Sequence, residues 1–151
     1  MDETALRIMQ LHAQGYCCSQ IMIWLSLDDM GEDNPPLVRA MAGLCEGSSC
    51  GALCGVASGA ACVLSLYAAK GSDEEQPLDC YPIMLSQFMD WFKSTATEWG
   101  GIRCEDIVSY QGGIKPEVCG DIMLRSREII LGILTENNLD PSLPREQSNR
   151  Y

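Results

Sequence analysis

The sequence predicts an all-α fold, a compact single-domain bundle of about five or six helices. Apolar residues recur at the three- and four-residue spacing of a helix, and no alternating run or hairpin turn predicts a strand. The 151 residues are 46% hydrophobic, which is enough for one buried core. We expect residues 1–139 to form the helical domain. Residues 140–151 are polar and contain two prolines, which is typical of a flexible or partner-contacting tail.

The N-terminal half predicts four helices, and glycine and proline set the breaks between them. Gly15 ends the first helix, and an acidic turn from Asp28 that closes with Pro35 and Pro36 follows the second. The fourth helix is rich in Gly, Ala and Ser, whose small side chains permit close approach between helices. The expected ranges are 6–13, 18–27, 37–44 and 51–70.

The C-terminal half predicts two long helices with a shorter helical turn between them. Pro82 suits the first turn of a helix that runs to about Trp99, where two glycines break the pattern. A short turn is expected after Cys104, and the last helix covers about residues 117–137. Trp91 and Trp99 share one helical face, which favours burial in the core or in a homodimer interface.

Charge and hydropathy exclude several classes of partner. The formal net charge of −11 disfavours binding to nucleic acid or to an anionic membrane surface. The chain opens with Met1, Asp2 and Glu3, without the basic region of a secretory signal. The apolar stretch from Val56 to Ala69 is too short to span a bilayer. We therefore expect a cytoplasmic protein with no nucleic-acid and no membrane partner.

Nine cysteines are the main chemical signal in the chain. Cytoplasmic thiols stay reduced, so we interpret them as ligands or redox groups rather than as structural disulfides. No two have Cys-x-x-Cys spacing and the only histidine is His12, which excludes a zinc-ribbon knuckle, a thioredoxin dithiol and a two-Cys, two-His zinc site. A four-ligand site would need thiolates, as in an iron–sulfur cluster or structural zinc.

Four cysteines lie near predicted helix starts, and we expect them to converge at one end of the bundle. They are Cys18, Cys50, Cys104 and Cys119. Cys50 lies in a glycine-rich segment at the expected entry of the fourth helix, where free N–H groups and the helix dipole stabilise a thiolate. Gathered helix starts would form an anion-stabilising pocket. Cys54 and Cys62 are interpreted as small core residues, and Cys45 and Cys80 as packing or surface residues.

These cysteines and their neighbours resemble the C-GCAxxG-C-C proteins, a family described as redox-active. The core of the family pattern stands here as Cys50-Gly51-Ala52-Leu53-Cys54-Gly55, and an earlier element as Tyr16-Cys17-Cys18-Ser19-Gln20. The resemblance implies that the family cysteines are Cys18, Cys50, Cys104 and Cys119. The resemblance also implies that the other five cysteines are additions of this chain, namely Cys17, Cys45, Cys54, Cys62 and Cys80. A similar helical domain occurs in the split-Soret cytochromes c, which carry an iron–sulfur centre.

The favoured function is that of a redox or electron-transfer protein with an unidentified redox partner. In one version Cys18, Cys50, Cys104 and Cys119 ligate an iron–sulfur cluster. In the other, Cys50 is a redox nucleophile and one of the other three resolves the disulfide. The alternative class is a non-catalytic module that binds zinc through thiolates or acts as a helical interaction domain.

Overall fold

The computed structural model of the protein describes residues 2–145, and these residues form seven α-helices. In chain order the helices are α1 (Glu3–Ala13), α2 (Cys18–Met30), α3 (Pro35–Met41), α4 (Gly55–Ala68), α5 (Tyr81–Thr95), α6 (Cys104–Gln111) and α7 (Pro116–Glu136). Short 3₁₀ turns at Ala42–Leu44 and Ala96–Trp99 follow α3 and α5. No strand occurs within residues 2–145. The all-α prediction is confirmed, with one or two more helices than expected.

The end of α2 differs from the prediction. We expected an acidic turn from residue 28, but the helix continues to residue 30 and ends before Gly31, which takes the left-handed conformation. Asp28 and Asp29 stay helical because each pairs with an arginine of another helix. Arg7 lies 2.9 Å from Asp28, and the buried Arg127 lies 2.7 Å from Asp29. These two ion pairs join α2 to α1 and to α7.

Helix α4 packs against α2, α5 and α7 and supplies much of the buried core. Its small residues allow the close approach that the sequence predicts. At Gly59, an added Cβ atom would lie only 3.0 Å from the Cα atom of Ser19 in α2. Among residues 2–145, no helix combines the length and the apolar character needed to cross a membrane.

The start of α4 also differs from the prediction. The helix begins at Gly55 and not at Gly51, because residues 46–49 form a left-handed turn that cannot continue into a right-handed helix. Leu53 then forms an isolated antiparallel bridge with Arg103, which holds the segment extended just before α4. The physical reason for the error is therefore a long-range pairing that helical periodicity does not reveal.

The aromatic residues of α5 and its 3₁₀ extension lie in the core. Phe88, Phe92 and Trp99 are buried, and the ring centroids of Phe92 and Trp99 are 5.6 Å apart. Trp24 and Trp91 are partly buried against the same core. Pro82 lies in the first turn of α5, as predicted, and the glycines at 100 and 101 follow its 3₁₀ extension.

The first residues of the predicted tail contact the helical domain. The Tyr67 hydroxyl donates a hydrogen bond of 2.7 Å to the carbonyl of Pro141. The guanidinium of Arg145 donates to the carbonyls of Ala69 and Gln76. Residues 146–151, which complete the predicted tail, lie outside the described residues. The division of the chain at residue 139 stays a prediction.

Candidate functional site

Six of the nine cysteines line one cavity of about 870 Å³. They are Cys17, Cys18, Cys45, Cys54, Cys104 and Cys119. The remaining wall is mostly apolar and includes Ile8, Val56, Ile107 and Ile122. Among the described residues, the lining contains carboxylates but no Lys or Arg side chain. The cavity is therefore an apolar, sulfur-rich site, and His12 is the one basic side chain among its described lining residues.

The four free thiols of the cavity all belong to helix starts. Cys18 and Cys104 are the first residues of α2 and α6, Cys54 immediately precedes α4, and Cys119 lies in the first turn of α7. The structure thus brings together three of the four predicted site residues. Cys54 occupies the place that we expected for Cys50. The ligand role of the predicted set stays a prediction.

Cys50 lies outside this cavity. Its side chain is exposed, and its Sγ atom lies 3.2 Å from the carbonyl oxygen of Gly47 in the same turn. Glu46, Ser48 and Ser49 take φ angles of 55°, 56° and 60°. For residues other than glycine this conformation costs about 1–2 kcal/mol each. The prediction that Cys50 stands at a helix entry is wrong, because this turn and the bridge at Leu53 separate it from α4.

The bridge between Leu53 and Arg103 brings Cys54 and Cys104 together. The Cys54 N–H donates to the carbonyl of Ile102 over 2.9 Å, and the Cys104 N–H donates to the carbonyl of Ala52 over 2.7 Å. These bonds satisfy two N–H groups at helix starts that would otherwise lack a partner. They also fix the start of α6 beside the start of α4.

Gly55 makes room for the sulfur of Cys18. A Cβ atom added at Gly55 would lie 2.5 Å from Cys18 Sγ and 3.0 Å from the carbonyl oxygen of Leu44. No side chain other than hydrogen fits there without displacing one of these neighbours. The first glycine of α4 is therefore what lets α2 present its leading thiol to the cavity.

The polar residues after Cys18 fix the start of α2. Gln20 Oε1 accepts a hydrogen bond of 3.2 Å from the Cys17 N–H, and Gln20 Nε2 donates to the carbonyl of Val38 in α3. The buried Ser19 hydroxyl donates to the carbonyl of Met41 over 2.7 Å. The segment that carried the family resemblance thus holds α2 against α3 and orients the two adjacent cysteines.

Burial keeps the cavity thiols protonated. It raises the pKa of Cys18 from about 9 to about 11 and that of Cys54 from about 9 to about 12. The neighbouring cysteines contribute to both increases, whereas nearby backbone N–H groups oppose them. Burial also raises the pKa of Cys104 and of Cys119. In this cavity the cost of burying a charge outweighs the stabilisation that helix N-termini give to a thiolate.

The donor chemistry of the cavity fits a soft metal centre. Four thiols are the ligand set of iron–sulfur clusters and of some structural zinc sites. However, no group of three or more His, Cys, Asp or Glu side chains within residues 2–145 is arranged to hold a metal ion. A single zinc ion would need each sulfur about 2.3 Å away. A polynuclear cluster separates its ligands more widely, because irons and sulfides lie between them.

Cys17 and Cys45 form a disulfide, which the sequence did not predict. Their Cα atoms are 6.1 Å apart, and 28 positions separate them in the chain. We expected the cysteines to be ligands or redox thiols, and Cys45 to be a packing or surface residue. No motif or spacing marks this pair in the sequence. The sequence did contain a signal for Cys54. The helix rich in small residues begins at Gly55, so Cys54 stands directly at a helix start.

The fold and the cavity define a class of protein, an all-α domain with a sulfur-rich site built from helix starts. A model of the family described as "Putative redox-active protein (C-GCAxxG-C-C)" matches residues 16–133. The chain therefore belongs to this family, which confirms the resemblance. The matched region contains every cysteine that lines the cavity. No curated protein and no solved structure gives a significant match.

Proposed function

We propose that this redox-active family member is an electron-transfer protein whose cavity thiols ligate an iron–sulfur cluster. The proposed ligands are Cys18, Cys54, Cys104 and Cys119. The observation that supports this proposal is that four free thiols, each from a different helix start, line one cavity. This set differs from the sequence-based set only in having Cys54 in place of the exposed Cys50.

The raised pKa values favour ligands over free nucleophiles. A protonated thiol is a poor nucleophile, because the thiolate is the reactive form. A coordinating metal deprotonates its thiol ligands and would supply positive charge directly beside them. When bound, an iron–sulfur cluster would supply reversible one-electron chemistry. The N-termini of α2, α4, α6 and α7 would stabilise its net negative charge.

The chain positions these ligands in a mostly apolar cavity. Gly55 gives Cys18 access to the cavity, and the bridge at Leu53 fixes Cys54 beside Cys104. Apolar residues of α1, α6 and α7 form the remaining walls. Solvent exposure and hydrogen bonds to the sulfurs are among the factors that set a cluster's reduction potential.

Anaerobic purification of the full chain tests the proposal. Protein that holds iron and sulfide, absorbs visible light and bleaches reversibly on reduction would support it. Replacing Cys54 with Ala should remove the iron, whereas Cys62→Ala should not, since Cys62 does not line the cavity. Colourless protein loaded with zinc would favour the structural zinc module instead. Protein with neither metal, even after anaerobic reconstitution with iron and sulfide, would rule out the cluster.

Reversible dithiol chemistry is the second candidate function. The observation that favours it is the disulfide between Cys17 and Cys45, two of the cysteines that line the cavity. In the version predicted from sequence, Cys50 attacks and Cys18, Cys104 or Cys119 resolves the disulfide. Its test is a thiol titration of metal-free protein across a series of redox buffers. A reversible two-electron step that disappears in Cys50→Ser would support that version.

We also propose a cytoplasmic homodimer that exchanges electrons with a separate redox partner. Three large apolar side chains on α1 and before α7 are exposed, namely Leu6, Met9 and Ile114. Met9 and Ile114 also line the cavity, so a second copy packed there would shield it from water. Light scattering during gel filtration tests the dimer, and a monomer at all concentrations would exclude it.

A further inference from the structure

The disulfide between Cys17 and Cys45 stands at the edge of the thiol cavity. Cys17 caps α2 and is half-buried, whereas Cys45 is buried with 9% of its surface exposed. Both residues line the cavity with the four free thiols. A reagent from solvent therefore reaches the sulfur of Cys17 more readily than that of Cys45.

Each partner of the disulfide is followed by a residue that faces the cavity. Cys18 follows Cys17, and the backbone N–H groups of Ser19 and Glu46 act to lower the pKa of its thiol. Glu46 in turn directly follows Cys45. The disulfide therefore holds together the two segments that meet at the Cys18 sulfur.

The segment after Cys45 is held in an unfavourable backbone conformation. Glu46, Ser48 and Ser49 are all left-handed, and such residues persist only where the surrounding structure fixes them. The disulfide fixes this turn at one end, and the hydrogen bond from the Ala52 N–H to the Gly47 carbonyl fixes it at the other. Opening the disulfide would remove one of these two constraints.

We propose that Cys17–Cys45 is a second redox site, a disulfide that a dithiol reductant opens and that controls the turn at residues 46–51. One thiolate of the reductant attacks Cys17 Sγ, the Cys17–Cys45 bond breaks, and Cys45 leaves as a thiolate beside the Ser19 hydroxyl, 2.9 Å away. The second thiol of the reductant then displaces Cys17. Two electrons and two protons pass to the protein, and the dithiol becomes a disulfide.

Redox titration of the metal-free, full-length protein tests this site. The protein is equilibrated in mixtures of reduced and oxidised dithiothreitol, its free thiols are alkylated, and its peptides are mapped by mass spectrometry. We expect the 17–45 bond to open in one two-electron transition. Amides 46–51 should then exchange hydrogen about tenfold faster than in the oxidised protein. Absence of the bond in every mixture, or unchanged exchange in this turn, would overturn the proposal.

Two variants and one control sharpen the test. Cys17→Ser and Cys45→Ser should both show the faster exchange without reductant, and reductant should have no further effect on residues 46–51. The half-buried Cys17 makes the first variant tolerable even if the second folds poorly. Cys80→Ser, outside the cavity, should behave as the wild type. Iron is absent throughout, so failure of the cluster proposal would leave these outcomes unaffected.

Discussion

Cys50 and Cys54 are four residues apart in one glycine-rich segment, yet they have opposite surroundings. Cys50 is exposed in a left-handed turn and contacts its own backbone. Cys54 is 6% exposed, precedes α4 and lines the cavity with three other free thiols. On a continuous helix the two would share one face. The turn and the bridge at Leu53 break that relation, so residue type and spacing do not by themselves identify the site thiol.

The largest expected difference between these two cysteines is in their reaction with iodoacetamide. Burial raises the pKa of Cys54 from about 9 to about 12, which lowers its thiolate fraction about a thousandfold at pH 8. In metal-free protein we therefore expect Cys50 to be alkylated at least about 100-fold faster than Cys54. Site-resolved mass spectrometry measures both rates in one sample.

The pH dependence of the Cys54 rate gives an independent check on this prediction. Thiolate is lost with falling pH, so the rate should rise about tenfold per unit between pH 8 and 10, still below the pKa. In urea the two sites should react at similar rates, because burial is then absent. Equal rates in the folded protein would show that Cys54 is not buried as described.

Replacing Cys54 should lower iron binding at least about tenfold more than replacing Cys50. Loss of even an outer-shell partner typically costs 10–100-fold in metal affinity, and loss of a ligand should cost at least as much. Cys54→Ala should therefore leave little iron after anaerobic reconstitution, while Cys50→Ala should load as the wild type does. Iron and sulfide analysis measures both. The reverse result would restore the ligand set that the sequence predicts.

The helices were predictable because their causes are local. Pro82 and Gly15 mark a helix start and a helix end with little help from distant residues. The site was less predictable, because its geometry depends on contacts across the chain. The bridge of Leu53 requires Arg103, and the disulfide of Cys17 requires Cys45. Neither pairing is indicated by hydrophobic periodicity or by a motif in the sequence.

Two glycines, one packed beside the cavity and one on an exposed helix, should respond differently to replacement by alanine. Gly55→Ala would force a methyl group to within 2.5 Å of Cys18 Sγ, and such overpacking costs about 1–3 kcal/mol. Gly132→Ala is the matched control, since a methyl group there meets nothing within 4 Å on an exposed part of α7. It should stabilise the protein by about 0.5–1 kcal/mol. Urea unfolding of metal-free protein measures both, and equal effects would exclude close packing at Gly55.

The smallest expected effect is in the turn that carries Cys50. Ser49 is left-handed, and its side chain makes no hydrogen bond within the described residues. Ser49→Gly would relieve about 1–2 kcal/mol of backbone strain and lose about 0.4–1 kcal/mol to the more flexible unfolded chain. We therefore expect a net gain of about 0.5–1 kcal/mol in the free energy of unfolding.

The matched control for this turn is Ser86→Gly, at an exposed position of α5. Glycine should destabilise that right-handed helix by about 0.5 kcal/mol. Opposite signs for the same substitution would show that the backbone at Ser49 is held in the left-handed region. If Ser49→Gly also destabilised the protein, residues 46–51 would not form the turn that separates Cys50 from Cys54. The assignment of Cys54 as the site thiol would then lose its structural basis.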